Sequence, residues 1–573
     1  MKLKPLTIAL LCALSSNMAA KESIVEITVL QTSDVHGCFF PYDFINRKPM
    51  HGSMARVSSY VKAVRKSKGN NVLLLDNGDI LQGQPTCYYC NYIKPDMPNI
   101  AAEVVNYMGY DAQTIGNHDV ETGHAVYDKW ASEVKCPMLG ANVIDTSTGK
   151  PYFKPYAMFM RDGVRIAVIG MLTPAIPNWL NIRLWEGMCF QNIVESAAQW
   201  VEYVKTNEHP DVIIGLFHSG LSGGITTDAY EENAALRAAK EVEGFDIILF
   251  GHDHKAHDET IDVNGRKVVC LNPSSNAEYV SEATISIKTR DGKVIGKEVT
   301  DRLVDIRNLP VDEEFMLKFK NEIDSIKTFT DRKIGTFTDT IRTRDSYFGN
   351  SAFCDFIHNL QLKVTGADVS FNAPLSFDES INAGDVRVSD LFNLYKYENQ
   401  IYTLRMTGKE IHDYLEMSYA MWTDRMMTPN DHIMLMERDE HGSYVFKNLA
   451  FNFDSAAGID YEVDVTKPAG EKVTILRMSD GTPFEPTKWY KVAMNSYRGN
   501  GGGELLTKGA GIPHDSLPER IIYESERDQR YYLMKEIENN GTMNPQPNHN
   551  WRFVPAEWTR TAIRRDRELL FGK

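Results

Sequence analysis

Val72-Leu-Leu-Leu-Asp-Asn-Gly-Asp79 decides the fold class. Four apolar residues in succession, without polar alternation, describe a short strand covered on both faces, as in the parallel sheets of layered α/β proteins. Asp79 stands just past the exit of that strand. The pattern recurs around it. Val25–Leu30, Ala112–Ile115, Arg165–Met171, Val212–Phe217, Ile247–Phe250 and Val268–Leu271 are further strand candidates, and Met54–Lys66, Asn99–Met108, Ile193–Thr206 and Ala229–Glu241 read as helices between them. Strands alternating with helices give an α/β layered domain, in which ligands gather at the carboxyl ends of the strands.

Polar motifs fall at those ends. They are Asp34 and His36 in Thr32-Ser-Asp-Val-His-Gly37, Asp79 in the opening stretch, Asn117 in Gly116-Asn-His-Asp119, His218 in Phe217-His-Ser219, and His252 with His254 in Gly251-His-Asp-His254. Any one alone is commonplace: an isolated Asp-x-His is usually a turn residue beside a surface histidine, and Gly-Asn-His-Asp can be a simple turn. Together, in order and each after a strand, they describe a dinuclear metal centre. Alternate residues of an extended chain share a side, so Asp34 and His36 can serve one cation, and the two oxygens of Asp79 can bridge a pair. Oxygen and imidazole donors without thiolate suit Mn, Zn, Co or Fe better than Ca or Mg. Two such cations activate water and stabilise charge in phosphate-ester hydrolysis. His118 is the candidate to protonate the leaving alkoxide, with Asp119 or Glu121 to orient it; Glu121 is the preferred partner.

The 573 residues exceed what one core accommodates, so two domains are expected. A formal charge of −15 argues against binding long nucleic acids. Lys2 and Lys4, the apolar Leu6–Leu14 and the small Ala19-Ala20 read as a secretory signal over residues 1–20, which places the mature protein in the periplasm or outside the cell. No later run is long enough for a membrane helix. Seven cysteines remain after cleavage, an odd number, and Cys87-Tyr-Tyr-Cys90 reads as a local disulfide in an oxidising compartment.

Residues 21–310 form the first domain on this reading. Residues 311–332 read as one amphipathic helix within a linker spanning 311–334. From residue 335 to 573 the composition shifts toward Phe, Tyr, Asn and Gly, with helices near Ala352–Val364 and Gly408–Tyr419 and strands near Ile401–Met406, Gly458–Val465 and Trp489–Met494, a second mixed domain.

With these motifs in place the chain resembles the calcineurin-like metallophosphoesterases, and more narrowly the exported 5′-nucleotidase family. The resemblance implies a four-layer α/β/β/α metallophosphoesterase domain followed by a mixed α/β nucleoside-binding domain. It assigns Asp34, His36, Asp79 and His254 to one metal, Asp79, Asn117, His218 and His252 to the other, and the catalytic imidazole to His118. The family usually has Asp three residues beyond that histidine, where this chain has Glu121. Phe451-Asn-Phe-Asp454 and Tyr497, ahead of a glycine-rich turn, resemble the 2′,3′-cyclic-nucleotide 2′-phosphodiesterase/3′-nucleotidase branch, in which matching aromatics clamp the base; Phe451, Asn452 and Tyr497 are the implied substrate-binding residues. Asn372-Ala-Pro-Leu-Ser376 lacks the arginine of the 5′-nucleotidase branch. A nucleotide substrate and a monomer are expected, with a 5′-nucleotidase or UDP-sugar diphosphatase on the same metal site as the alternative.

Overall fold

The computed structural model describes residues 22–291, 293–439 and 441–572, so the expected signal segment lies outside the described residues. Two six-stranded sheets make the first half. One runs Lys293–Asp305, Tyr279–Arg290, Glu22–Thr32, Val72–Asp76, Ala112–Thr114, Met138–Leu139; the other runs Ala256–Val263, Arg266–Pro273, Ile247–Phe250, Val212–His218, Val164–Leu172, Tyr156–Arg161. Their central strands pair in parallel.

Strand alternation explains how apolar runs build four layers. Leu73 and Leu75 point between the sheets, where they join Ile27, Val29, Ile214, Leu216 and Leu249, whereas Leu74 packs with Val57, Val61, Val104 and Val105 of the helices Met54–Lys68 and Ile100–Met108. On the other sheet Ile213 and Ile248 meet Ala197, Val201, Ala235 and Ala238 of Ile193–Asn207 and Ala235–Glu241. Both faces of the central strands are therefore dry, which accounts for the absence of polar alternation there. The order is helix, sheet, sheet, helix.

Three local expectations are corrected. The helix expected over Ala229–Glu241 begins only at Ala235; Glu231–Asn233 is instead a strand paired with Gly223–Thr226. The single helix expected over 311–332 is two, Glu313–Lys318 and Lys320–Thr330, broken at Phe319 (φ −96°, ψ 15°). Phe315 and Phe319 are buried against Phe40 and Tyr107, so this segment is packed onto the first core. Cys87 and Cys90 are separate buried thiols. Cys87 directs its Sγ toward the Ile80 carbonyl, 3.3 Å away, and burial pushes the Cys90 thiol up to about 12.

The second half is built on a five-stranded mixed sheet, Ser455–Ala457, Val369–Asn372, Trp489–Asn495, Gln400–Thr407, Ile521–Asp528. Neighbouring residues of one strand show its two covered faces. Phe371 stacks on Tyr414 of the helix Gly408–Trp422 with centroids 4.1 Å apart, and Ser370 bonds His358 of the helix Ala352–Thr365 at 2.9 Å. The halves touch directly: Asn181 donates to Tyr402 Oη (2.6 Å), Tyr88 donates to Asp528 (3.1 Å), and Arg47 donates to Ser389 (2.9 Å).

Candidate metal centre

The seven residues singled out by the motifs converge on one pocket. Asp34, His36, Asp79 and His254 form one cluster whose donor atoms all lie within 4.8 Å of one another, and Asp79, His218 and His252 form a second; Asp79 belongs to both. Asn117 joins the second cluster, its Oδ1 lying 3.0 Å from His218 Nε2 and 2.8 Å from His252 Nδ1. In the first, His36 Nε2 faces His254 Nε2 at 3.0 Å and Asp34 Oδ1 lies 3.3 Å from His254.

Tight backbone geometry gathers these donors. Asp34, His36, Asp79, His252 and His254 all have positive φ, between 49° and 74°, a left-handed conformation that costs free energy for residues other than glycine and clusters at functional sites. The motif glycines are required for close approach. A Cβ on Gly116 would lie 2.1 Å from Asp79 Oδ1, and one on Gly251 would lie 2.0 Å from Ser33 Oγ. Asp119 then rivets two of the loops, accepting from the backbone amides of Gly116, Asp79, Ile80 and Leu81 at 2.8–2.9 Å. That use leaves it no part in orienting His118. Glu121 takes the position instead, its Oε2 lying 2.6 Å from His118 Nδ1.

The hydrogen bonds made by the outer nitrogens of the histidines suit the pocket to cations. His218 Nδ1 donates to the Asn77 carbonyl (2.7 Å) and His36 Nδ1 to the Gln82 carbonyl (3.1 Å), so both Nε2 lone pairs turn inward. His252 Nε2 faces Glu232 Oε1 at 3.0 Å, which turns its Nδ1 lone pair inward too. Among the described residues no hydrogen-bond donor satisfies the buried Asp79 Oδ2, although His218 Nε2 lies 3.2 Å away. Lone pairs converging on a buried carboxylate oxygen are the donor set of a cation.

Protons compete for the same atoms. Burial works against a charge on His218, yet the Asp79 carboxylate outweighs it and holds the imidazole up to about 10. A histidine raised above its usual 6.5 contributes stability that is complete below pH 6.5 and is lost as pH rises through about 10. In chelated protein, the stability difference between wild type and His218→Asn should therefore shrink across that window. Urea melts at several pH values measure it; a difference that stays constant or grows with pH contradicts the assignment.

The substrate-binding candidates lie in the second half. Phe451 and Tyr497 have centroids 6.4 Å apart but planes at 85°, so a flat base cannot lie parallel to both until one ring turns. Arg498 fixes the surroundings: it pairs with Asp454 (3.1 Å) and donates to the Phe451 carbonyl (2.9 Å) and to Asn452 Oδ1 (3.2 Å). Asn452 thus has its carbonyl oxygen occupied. Burial raises the phenols of both Tyr397 and Tyr497; the Glu121 charge adds to the first effect, while at Tyr497 the Arg498 charge works against it. Glu232 and Arg498 were not legible as neighbours of the candidate residues, because neither sits in a metal motif, and Asn77, though inside Asp76-Asn-Gly-Asp79, contributes through a backbone carbonyl that no motif marks.

Residues 27–256 match the calcineurin-like phosphoesterase family and residues 333–508 match the 5′-nucleotidase C-terminal domain. The chain is a calcineurin-like phosphoesterase carrying a 5′-nucleotidase C-terminal domain, and so a phosphoric ester hydrolase. It is 26% identical to a 2′,3′-cyclic-nucleotide 2′-phosphodiesterase/3′-nucleotidase of Haemophilus influenzae, over 95% of this chain and 90% of that protein. It is 27% identical to the trifunctional nucleotide phosphoesterase YfkN of Bacillus subtilis, over 97% of this chain but only 41% of that longer protein. A 5′-nucleotidase precursor from Thermus thermophilus shares the fold (18% identity, TM-score 0.63, 93% of this chain and 100% of that one). The family fold implies a dimetal site, and the clustered Asp and His side chains supply donors for it. Among the described residues no helix is long and apolar enough to cross a membrane.

Proposed function

We propose that this phosphoesterase acts on nucleotides, opening 2′,3′-cyclic nucleotides and removing 3′-phosphates, and that it does so after export. The observation that carries the reading is the shared position of Asp79 in two donor clusters beside the His118–Glu121 pair. On this reading Asp34, His36, Asp79 and His254 hold one cation and Asp79, Asn117, His218 and His252 hold the other. Bound there, a pair of divalent ions of the Mn, Zn, Co or Fe type supplies Lewis acidity at phosphorus and a lowered pKa for attacking water.

The chain's own groups do the rest. Burial disfavours a charged His118, but the Asp79 carboxylate and the Glu121 hydrogen bond outweigh it and hold the imidazole up to about 9. Of these two carboxylates, Glu121 is the one that still favours the protonated ring when Asp79 is engaged by cations. Glu121 takes Nδ1–H, which leaves Nε2–H for the departing alkoxide oxygen. Phe451 and Tyr497 hold the base, with stacking on the order of 1–3 kcal/mol per base.

Support for the cyclic and 3′ preference comes from the relatives bearing that activity in their names at about a quarter identity over nearly the whole chain. The Asn372–Ser376 segment also carries no arginine for a terminal phosphate. Mature protein with Mn²⁺ should turn over 2′,3′-cyclic AMP and 3′-AMP with higher kcat/KM than 5′-AMP or a UDP-sugar. Turnover confined to the last two contradicts the preference and favours the 5′-nucleotidase reading.

A further inference from the structure

Glu232 lies on the Gly223–Thr226/Glu231–Asn233 hairpin, outside every metal motif. Its two carboxylate oxygens have different partners. Oε2 accepts the Ile225 backbone amide at 2.7 Å, while Oε1 lies 3.0 Å from His252 Nε2. The hairpin is shaped around that carboxylate: Gly224 has φ +74°, and a Cβ there would lie 2.4 Å from Oε2. The Glu232 carbonyl is anchored as well, accepting from Thr173 Oγ1 (3.1 Å) and from Ser219 Oγ (2.8 Å) next to His218. Trp179 packs near the same imidazole, with ring centroids 5.7 Å apart and planes at 34°. His254, whose Nε2 lies 3.3 Å from Asp34 Oδ1, is less enclosed: its side chain is 44% exposed against 11% for His252.

We infer that Glu232 is a positioning residue for the metal centre, fixing His252 as the Nε2–H tautomer so that Nδ1 presents its lone pair beside Asn117, His218 and Asp79. A carboxylate only accepts, so the ring nitrogen facing it must carry the hydrogen, and the other nitrogen is left as the donor atom. Such carboxylate–histidine pairs orient a ligand and raise its basicity, and their loss typically weakens metal affinity by about 10- to 100-fold. The inference rests on the reading of His252 as a ligand.

Its test uses chelator-stripped full-length protein titrated with Mn²⁺ alone, comparing wild type with Glu232→Gln and Glu232→Asp. Wild type should take up two ions. Glu232→Gln should keep one at wild-type affinity and bind the second about 10- to 100-fold more weakly, with the spin-coupled signal of a manganese pair appearing only at correspondingly higher Mn²⁺. The metal-free melting temperature should change little, which separates positioning of a ligand from support of the hairpin. Glu232→Asp, which keeps the charge but shortens the reach, should also weaken the second ion. Two-ion uptake at unchanged affinity in both variants overturns the inference and leaves the metal reading intact. Failure of wild type to bind a second ion overturns the metal reading and this inference with it.

Discussion

Asp79→Ala should bind neither ion of the pair with wild-type affinity and should lose activity by a factor of about 10³ or more. The residue is the one carboxylate common to both donor clusters, and it is fully buried. Metal ions contribute several kcal/mol of charge stabilisation in such reactions, and about 1.4 kcal/mol corresponds to each tenfold in rate. Metal content by elemental analysis and kcat/KM on 2′,3′-cyclic AMP should fall together. Added Mn²⁺ should not restore either. A variant with one ion lost and activity within about tenfold of wild type would show that Asp79 does not bridge, because a bridging carboxylate cannot be removed from one ion alone.

His118→Ala should lose about 10² to 10⁴ in kcat with both ions retained. Its defect should depend on the leaving group: an ester of p-nitrophenol departs without a proton, so the loss there should be much smaller than with 3′-AMP. Glu121→Gln offers a finer readout. The protonated imidazole is the active form, so activity falls as pH rises through the pKa of His118, which the Glu121 hydrogen bond raises. Removing the Glu121 charge removes one of the groups that raise it, and the alkaline limb should move to lower pH. A limb that stays in place, or moves to higher pH, contradicts the pairing.

The sequence was most readable where burial was complete. Val72–Leu75 and Val212–Phe217 stand out because both faces are dry, and the metal motifs follow them directly. Edge strands were harder. Lys293–Asp305 alternates half-buried with exposed positions and is rich in charge, so its apolar signal is weak. In sequence the hairpin strand Glu231–Asn233 reads as part of a helix because its acidic residues resemble a solvated helical face, whereas one of them, Glu232, turns inward to His252. Asp119 shows the same limit at one position. Sequence adjacency made it a candidate for orienting His118, but the tight turn aims its carboxylate back into the loop amides. Which residues bear donor atoms was legible from the motifs; which carbonyls and carboxylates orient those donors depends on contacts such as Asn77 to His218, 141 residues apart.

Anomalous diffraction from crystals soaked in Mn²⁺ tests the central claim most directly. Two peaks should appear roughly 3.5–4 Å apart with Asp79 between them, one beside His36 and His254 and the other beside Asn117, His218 and His252. A single peak, or peaks away from Asp79, would contradict the account.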